Sequence, residues 1–105
     1  MKKISSHKDM AIVKVPARLD MVFAQAMMDD LDDKIQTGRK VILDFSRTYF
    51  IGPEAVDVFW DALAKATLRR ARLALRSVQP GVQLQLEQEG ILEYFRGAKG
   101  RTQVA

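Results

Sequence analysis

The chain contains no cysteine, which removes a disulfide framework, a thiolate metal site and a cysteine nucleophile at once. A cysteine-free chain is at ease in a reducing compartment, and the cytoplasm is the expected location. Histidine is almost as scarce. The single one, His7, sits near the amino terminus without a serine-nucleophile motif or metal-ligand spacing around it. No apolar run approaches the ~20 residues a membrane helix needs, so no membrane insertion is expected. The opening Met1-Lys2-Lys3-Ile4-Ser5-Ser6-His7-Lys8-Asp9 has the lysines of a signal peptide but no apolar stretch behind them, and neither end carries a lipidation signal. A glycine-rich phosphate loop is missing too, since Gly97-Ala98-Lys99-Gly100 lacks the P-loop pattern. No cofactor and no metal are expected, and an enzyme is not.

No repeat, low-complexity stretch or Pro/Gly/Ser-rich linker divides the 105 residues. They read as one domain over 1–105, with a core from about 10 to 95 and a flexible tail over 96–105. Apolar residues make up 48% and charged ones 29%, which suits a globular fold rather than a disordered chain. Net charge is +4, with Arg69, Arg70, Arg72 and Arg76 close together and Arg96, Lys99 and Arg101 following. The acidic run Asp29-Asp30-Leu31-Asp32-Asp33 opposes them. Neighbouring carboxylates on one helix point in different directions, so this run is a solvated face rather than an acid/base pair.

Met10–Val15 is short and β-branched and stops at Pro16, as a strand does, with a turn at His7–Asp9 and a shorter strand around Ile4 before it. Asp20 stands where a helix N-cap belongs, and Phe23, Met27, Leu31 and Ile35 follow as one apolar stripe, closed by Gly38 as a C′ glycine. Val41-Ile42-Leu43 is apolar on both faces, which suits a central strand. Pro53 begins a second helix whose Val56, Phe59, Trp60, Leu63 and Thr67 recur at helical spacing, with Asp61 and Lys65 placed to pair one turn apart. Arg72–Ser77 alternates as a strand with one face nearer solvent; behind Pro80-Gly81, Val82, Leu84 and Leu86 alternate as in a strand while Val82, Leu86 and Glu89 fit a helix closing at Gly90, and the helix is the reading taken. The fold class is α/β, a mixed and largely parallel sheet with crossover helices. Phe23, Leu31, Leu43, Phe59 and Leu63 are expected in its core.

Leu43-Asp44-Phe45-Ser46, then Phe50-Ile51, a tight turn and an amphipathic helix, resemble the centre of STAS domains, the anti-sigma-factor antagonist and sulfate-transporter family. Leu73-Ala74-Leu75 with Val82, Leu86, Gly90, Ile91 and Phe95 is similar to that family's last strand and last helix, and Arg18-Leu19-Asp20 to the approach to its first long helix. The resemblance covers about Ile12 to Phe95. It implies a non-catalytic regulatory domain that docks onto a protein partner: an anti-sigma kinase, a phosphatase-linked switch or a transporter subunit. Docking is expected through the turn Arg47–Ile51 and the start of the following helix. The residues concerned are Arg18, Asp44, Arg47, Thr48, Tyr49, Gly52, Pro53, Glu54, Asp57 and Val58.

Members switched by phosphorylation carry an Asp-Ser-Ser-Gly-like turn just after the position of Ile51. Here the segment is Gly52-Pro53-Glu54-Ala55, and proline fills the hydroxyl slot. Glu54 either complements the positive end of the helix or stands in partially for the phosphate. Ser46 and Thr48 are the nearest hydroxyls, as displaced phosphosites or as turn hydrogen bonders. The competing function is a basic nucleic-acid-associated protein using Arg69, Arg70, Arg72 and Arg76. No base-stacking aromatics are interleaved with these arginines, which argues against it.

Overall fold

In the computed structural model, which describes residues 10–96, strand β1 (Met10–Lys14) leads through the two-residue β2 (Arg18–Leu19) into helix α1 (Met21–Lys34). Strands β3 (Lys40–Asp44) and β4 (Phe50–Ile51) precede a short 3-10 turn at Pro53–Ala55 that runs straight into α2 (Val56–Arg69). Strand β5 (Arg72–Arg76) and helices α3 (Pro80–Gln88) and α4 (Leu92–Arg96) complete the order. The expected strand around Ile4, the turn at His7–Asp9 and the tail beyond Arg96 lie outside the described residues.

Among the described residues three strands form a sheet in the order β1-β3-β5, and β2 pairs with β4 in a second one; all three pairings are parallel. The apolar Val41–Leu43 run thus lies in the central strand, as its lack of alternation implied. Register sorts the side chains into cross-strand rows. Ala11–Val41–Leu73 and Val13–Leu43–Leu75 face the helices, whereas Met10–Lys40–Arg72, Ile12–Ile42–Ala74 and Lys14–Asp44–Arg76 face the other way. Leu31 and Ile35 of the α1 segment, Phe59 and Ala62 of α2, Val82 and Leu86 of α3, and Phe95 of α4 join Val13, Leu43 and Leu75 in one buried cluster.

The first helix departs from its sequence pattern in two respects. Phe23 is 49% exposed rather than in the core. A stripe of four-residue steps drifts by about 40° per step on a helix of 3.6 residues per turn, so a row aligned on Leu31 and Ile35 has rotated off the core by Phe23. Ala24 and Met28 pack inward in its place. Helix α1 also ends at Lys34, short of Gly38, because Ile35 turns extended to drive its side chain into the core. Gly38, at φ +76°, serves the turn that follows. Arg69 explains how this early end is tolerated: its guanidinium donates to the carbonyls of Asp32 and Ile35, both at 2.9 Å, and pairs with the Asp32 carboxylate at 2.8 Å. Lys65 reaches the same carboxylate at 3.2 Å and Asp61 at 2.9 Å, tying α1 to α2. Arg69 and Lys65 hold the Asp32 carboxyl below its ordinary range.

Leu63 is half-buried against the core rather than inside it. Strand β5 stops one residue before Ser77, whose φ of 58° leaves the strand conformation. Its outward Ala74 is buried as well, so the strand has less of a solvent face than its alternation suggested.

Candidate functional site

Because the three strands of the sheet run the same way, their carboxyl ends open onto one edge, where α/β sheets present their ligand-binding loops. The starts of α1, of the Pro53 turn leading into α2, and of α3 each follow a strand at that edge. Asp20 caps α1 as expected, accepting from the Val22 amide at 3.0 Å. The segment 45–54 is held by bonds to the β1–α1 connection: the Tyr49 amide donates to Ala17 O at 2.9 Å, and the Gly52 amide to Leu19 O at 2.8 Å.

Four of the ten candidate residues are buried: Asp44, Thr48, Gly52 and Val58. Thr48 is fully buried, and its hydroxyl lies 3.1 Å from Val15 O and 2.9 Å from Pro16 O, so it fastens the turn to β1. Val58 belongs to the hydrophobic core, one residue off the outward face of α2. Asp44 is buried at the end of β3, where its carboxylate accepts from the Ser46 amide at 2.9 Å and pairs with Arg76 at 3.2 Å. These are the loop-closing roles of a turn carboxylate and hydroxyl.

The Ser46 amide above all, with help from Arg76, holds the Asp44 carboxyl below its ordinary value of 3.8 against the opposing effect of burial. A carboxyl with a depressed folded value stabilises the fold above its unfolded value and loses that contribution as pH falls through the folded one. Asp44→Asn is therefore expected to lower stability by about 1–2 kcal/mol at neutral pH. The acid-induced loss beginning near pH 3.8 should shrink in the variant. Urea unfolding at pH 7 and pH 3 measures both, and equal acid sensitivity in the two proteins would remove Asp44 from the pH response.

The other candidates line the outside of the same edge. Arg18, Arg47, Tyr49, Pro53, Glu54 and Asp57 are exposed, and Gly52 lies beneath them. The Arg18 guanidinium sits 4.5 Å from the centre of the Phe50 ring, and its Nε lies 3.5 Å from Asp20. Pro53 and Glu54 open the 3-10 turn, and the Glu54 carboxylate folds back so that its Oε1 lies 3.1 Å from where a side-chain carbon on Gly52 would stand. The absence of that carbon gives the carboxylate its place over the turn. Met21 and Val22, at the start of α1, add exposed apolar surface beside this group.

One residue that the sequence reading passed over positions the whole turn. The Gln85 side chain of α3 accepts from the Ile51 amide at 3.1 Å and donates to the Ile51 carbonyl at 2.8 Å, closing the edge of β4 as a neighbouring strand would. Its signal in the sequence is slight: a glutamine between Val82 and Leu86 on the inward stripe of α3. Gln79 adds a bond from its amide to Ser46 O at 3.1 Å.

The arginines of the nucleic-acid reading do not act together. Arg69 is engaged with α1 and Arg76 with Asp44, leaving Arg70 and Arg72 exposed. Among the described residues no group of three or more histidine, aspartate or glutamate side chains could hold a metal ion, and no helix is long and apolar enough to cross a membrane.

A family model described as the STAS domain matches residues 1–104. The solved structure of a sulfate transporter family protein from Wolinella succinogenes is similar, with a TM-score of 0.74 at 20% identity, over 82% of this chain and 70% of that one. At that identity the likeness speaks for the fold alone. No curated protein matches the sequence.

Proposed function

Because the chain belongs to the STAS domain family, whose members are in general non-catalytic interaction domains, we propose that it is a constitutive docking module without a phosphorylation switch. It binds a cytoplasmic protein partner of the kinds its relatives engage: an anti-sigma kinase, a phosphatase-linked regulator or a transporter subunit. Arg18, Arg47, Tyr49, Pro53, Glu54 and Asp57 form the contact, above the buried Gly52. One observation supports the reading: the exposed Glu54 carboxylate folds over Gly52 beside Pro53, the residue that by resemblance falls in the slot of the phosphorylatable serine. A fixed charge thus stands where switched relatives add one. Asp44 and Thr48 brace the turn from within, and Val58 anchors α2.

Affinity purification from the source organism, read by mass spectrometry, identifies the partner, and Glu54→Gln then tests the contact. The variant keeps the volume and removes the charge. Affinity is expected to fall by roughly 1.5–3 kcal/mol, tenfold or more, with unfolding changed by no more than about 1 kcal/mol. Unchanged affinity in both Glu54→Gln and Glu54→Lys would take the turn out of the interface. Phosphate found on Ser46 in cells would replace the constitutive module by a displaced switch.

A further inference from the structure

The outward face of the β1-β3-β5 sheet carries a chemistry that the edge site does not use. Its middle row, Ile12–Ile42–Ala74, lies outside the hydrophobic cluster that gathers the apolar side chains of α1, α2, α3 and α4; Ala74 at the β5 end is buried, Ile42 is partly buried, and the row opens toward β1. Ile12 remains 45% exposed and the neighbouring Met10 44%. Cations flank this apolar row on both sides: Lys40 and Arg72 in the row before it, Lys14 in the row after. None of the three has an ion pair among the described residues, whereas Arg18, Lys34, Lys65, Arg69 and Arg76 all do. The row that contains Lys14 also holds the mutually paired Asp44 and Arg76, which leaves the face positive overall.

We propose that this face is a second docking surface, and that its occupant is an acidic amphipathic helix of another protein. Two physical arguments select that occupant. The pairings among the described strands are parallel, and parallel sheets are found almost only with both faces covered, by helices whose apolar stripe seats on the sheet. An apolar row bordered by unpaired ammonium and guanidinium groups is complemented by an apolar stripe bordered by carboxylates. The charge of the chain's own segments outside the described residues does not match this occupant. Residues 1–9 carry Lys2, Lys3 and Lys8 against Asp9, and residues 97–105 carry Lys99 and Arg101 with no acidic side chain. A lipid surface fits less well, because Met10 and Ile12 stand on the plane of a sheet rather than at the tip of a projecting element.

A photo-crosslinking amino acid placed at position 12 of the full chain, expressed in the source organism, reads the occupant directly. The expected product is a crosslink to one other protein, through a peptide in which Glu or Asp residues flank apolar ones at helical spacing. Its yield should drop at least tenfold in the double variant Lys14→Glu, Arg72→Glu. Both substitutions replace exposed side chains, and an unchanged thermal unfolding curve confirms that the fold is retained. The same crosslink should persist in Glu54→Gln, which separates this face from the edge site. A crosslink to residues 1–9 or 97–105 of this chain, to a second copy, or to a segment without carboxylates would overturn the proposal. So would the absence of any product above that from a probe at Thr67. Flotation with vesicles of phosphatidylglycerol and phosphatidylcholine, lost in the same double variant, would assign the face to lipid and equally overturn it.

Discussion

Truncating Leu43 to alanine is expected to destabilise the protein by about 2–5 kcal/mol. Leu43 occupies the middle of the central strand, is wholly buried, and lies in register between Val13 and Leu75 on the face that meets the helices. Removing its isopropyl group forfeits about 0.8 kcal/mol of transfer free energy per carbon lost. A further penalty comes from the void, because strands paired on both sides have little freedom to collapse into it. Ile42→Ala is the natural comparison: the same strand and a similar loss of volume, but on the outward face and half-exposed. It should cost about half as much or less. Urea unfolding of both variants measures the difference, and a loss below ~1 kcal/mol for Leu43→Ala would contradict the central burial of β3.

The second large effect is expected at Gln85. Strand β4 is two residues long and has β2 along one edge only, so the amide and carbonyl of the buried Ile51 point away from it toward α3. Gln85→Leu keeps an apolar stem but leaves both groups without their partner. Each unsatisfied buried group costs about 1–3 kcal/mol, and partial access of water to this junction places the sum at roughly 2–4 kcal/mol. Gln85→Glu separates donor from acceptor. It can still accept from the Ile51 amide, but sets a carboxylate oxygen against the Ile51 carbonyl, so it should recover only part of the loss. Because β4 leads directly into Gly52-Pro53-Glu54, partner affinity should weaken together with stability. Stability within about 0.5 kcal/mol of the parent in Gln85→Leu, the low end for one lost hydrogen bond, would show that water replaces the side chain.

Much of the architecture follows from local pattern. The unalternating Val41–Leu43 run becomes the central strand, Asp20 caps α1, Pro53 opens the turn into α2, and Asp61 pairs with Lys65. The lean toward a helix over Val82–Gly90 is met by α3, with Gly90 at φ +75° just past its end. Each of these depends on residues within about one helical turn or one strand of each other, so spacing along the chain is enough to specify them. The serine-free Gly52–Ala55 segment is likewise a matter of residue identity, and what it excludes there needs no coordinates.

Other features depend on contacts between distant parts of the chain. Thr48 meets Val15 and Pro16 across more than 30 residues, Gln85 meets Ile51 across 34, and Arg69 meets Ile35 across 34. A polar side chain's destination at such separations is set by where helix and strand axes come to rest, and composition carries no record of that. The same holds for phase: whether Phe23 or Ala24 faces the core is a rotation of one residue about the α1 axis, decided by the helices and strands packed against it. The candidate site was accordingly legible as a segment, 44–58 with Arg18, but not as a surface. Asp44, Thr48 and Val58 share its stretch of sequence with Arg47, Tyr49 and Glu54, and only packing separates the residues that hold the turn from those it presents. By itself the sequence determined an α/β chain of this strand and helix order, with Gly52-Pro53-Glu54-Ala55 at the turn into α2. The tertiary structure decided which side chains face outward, because burial is a property of the assembled sheet and helices rather than of any one segment.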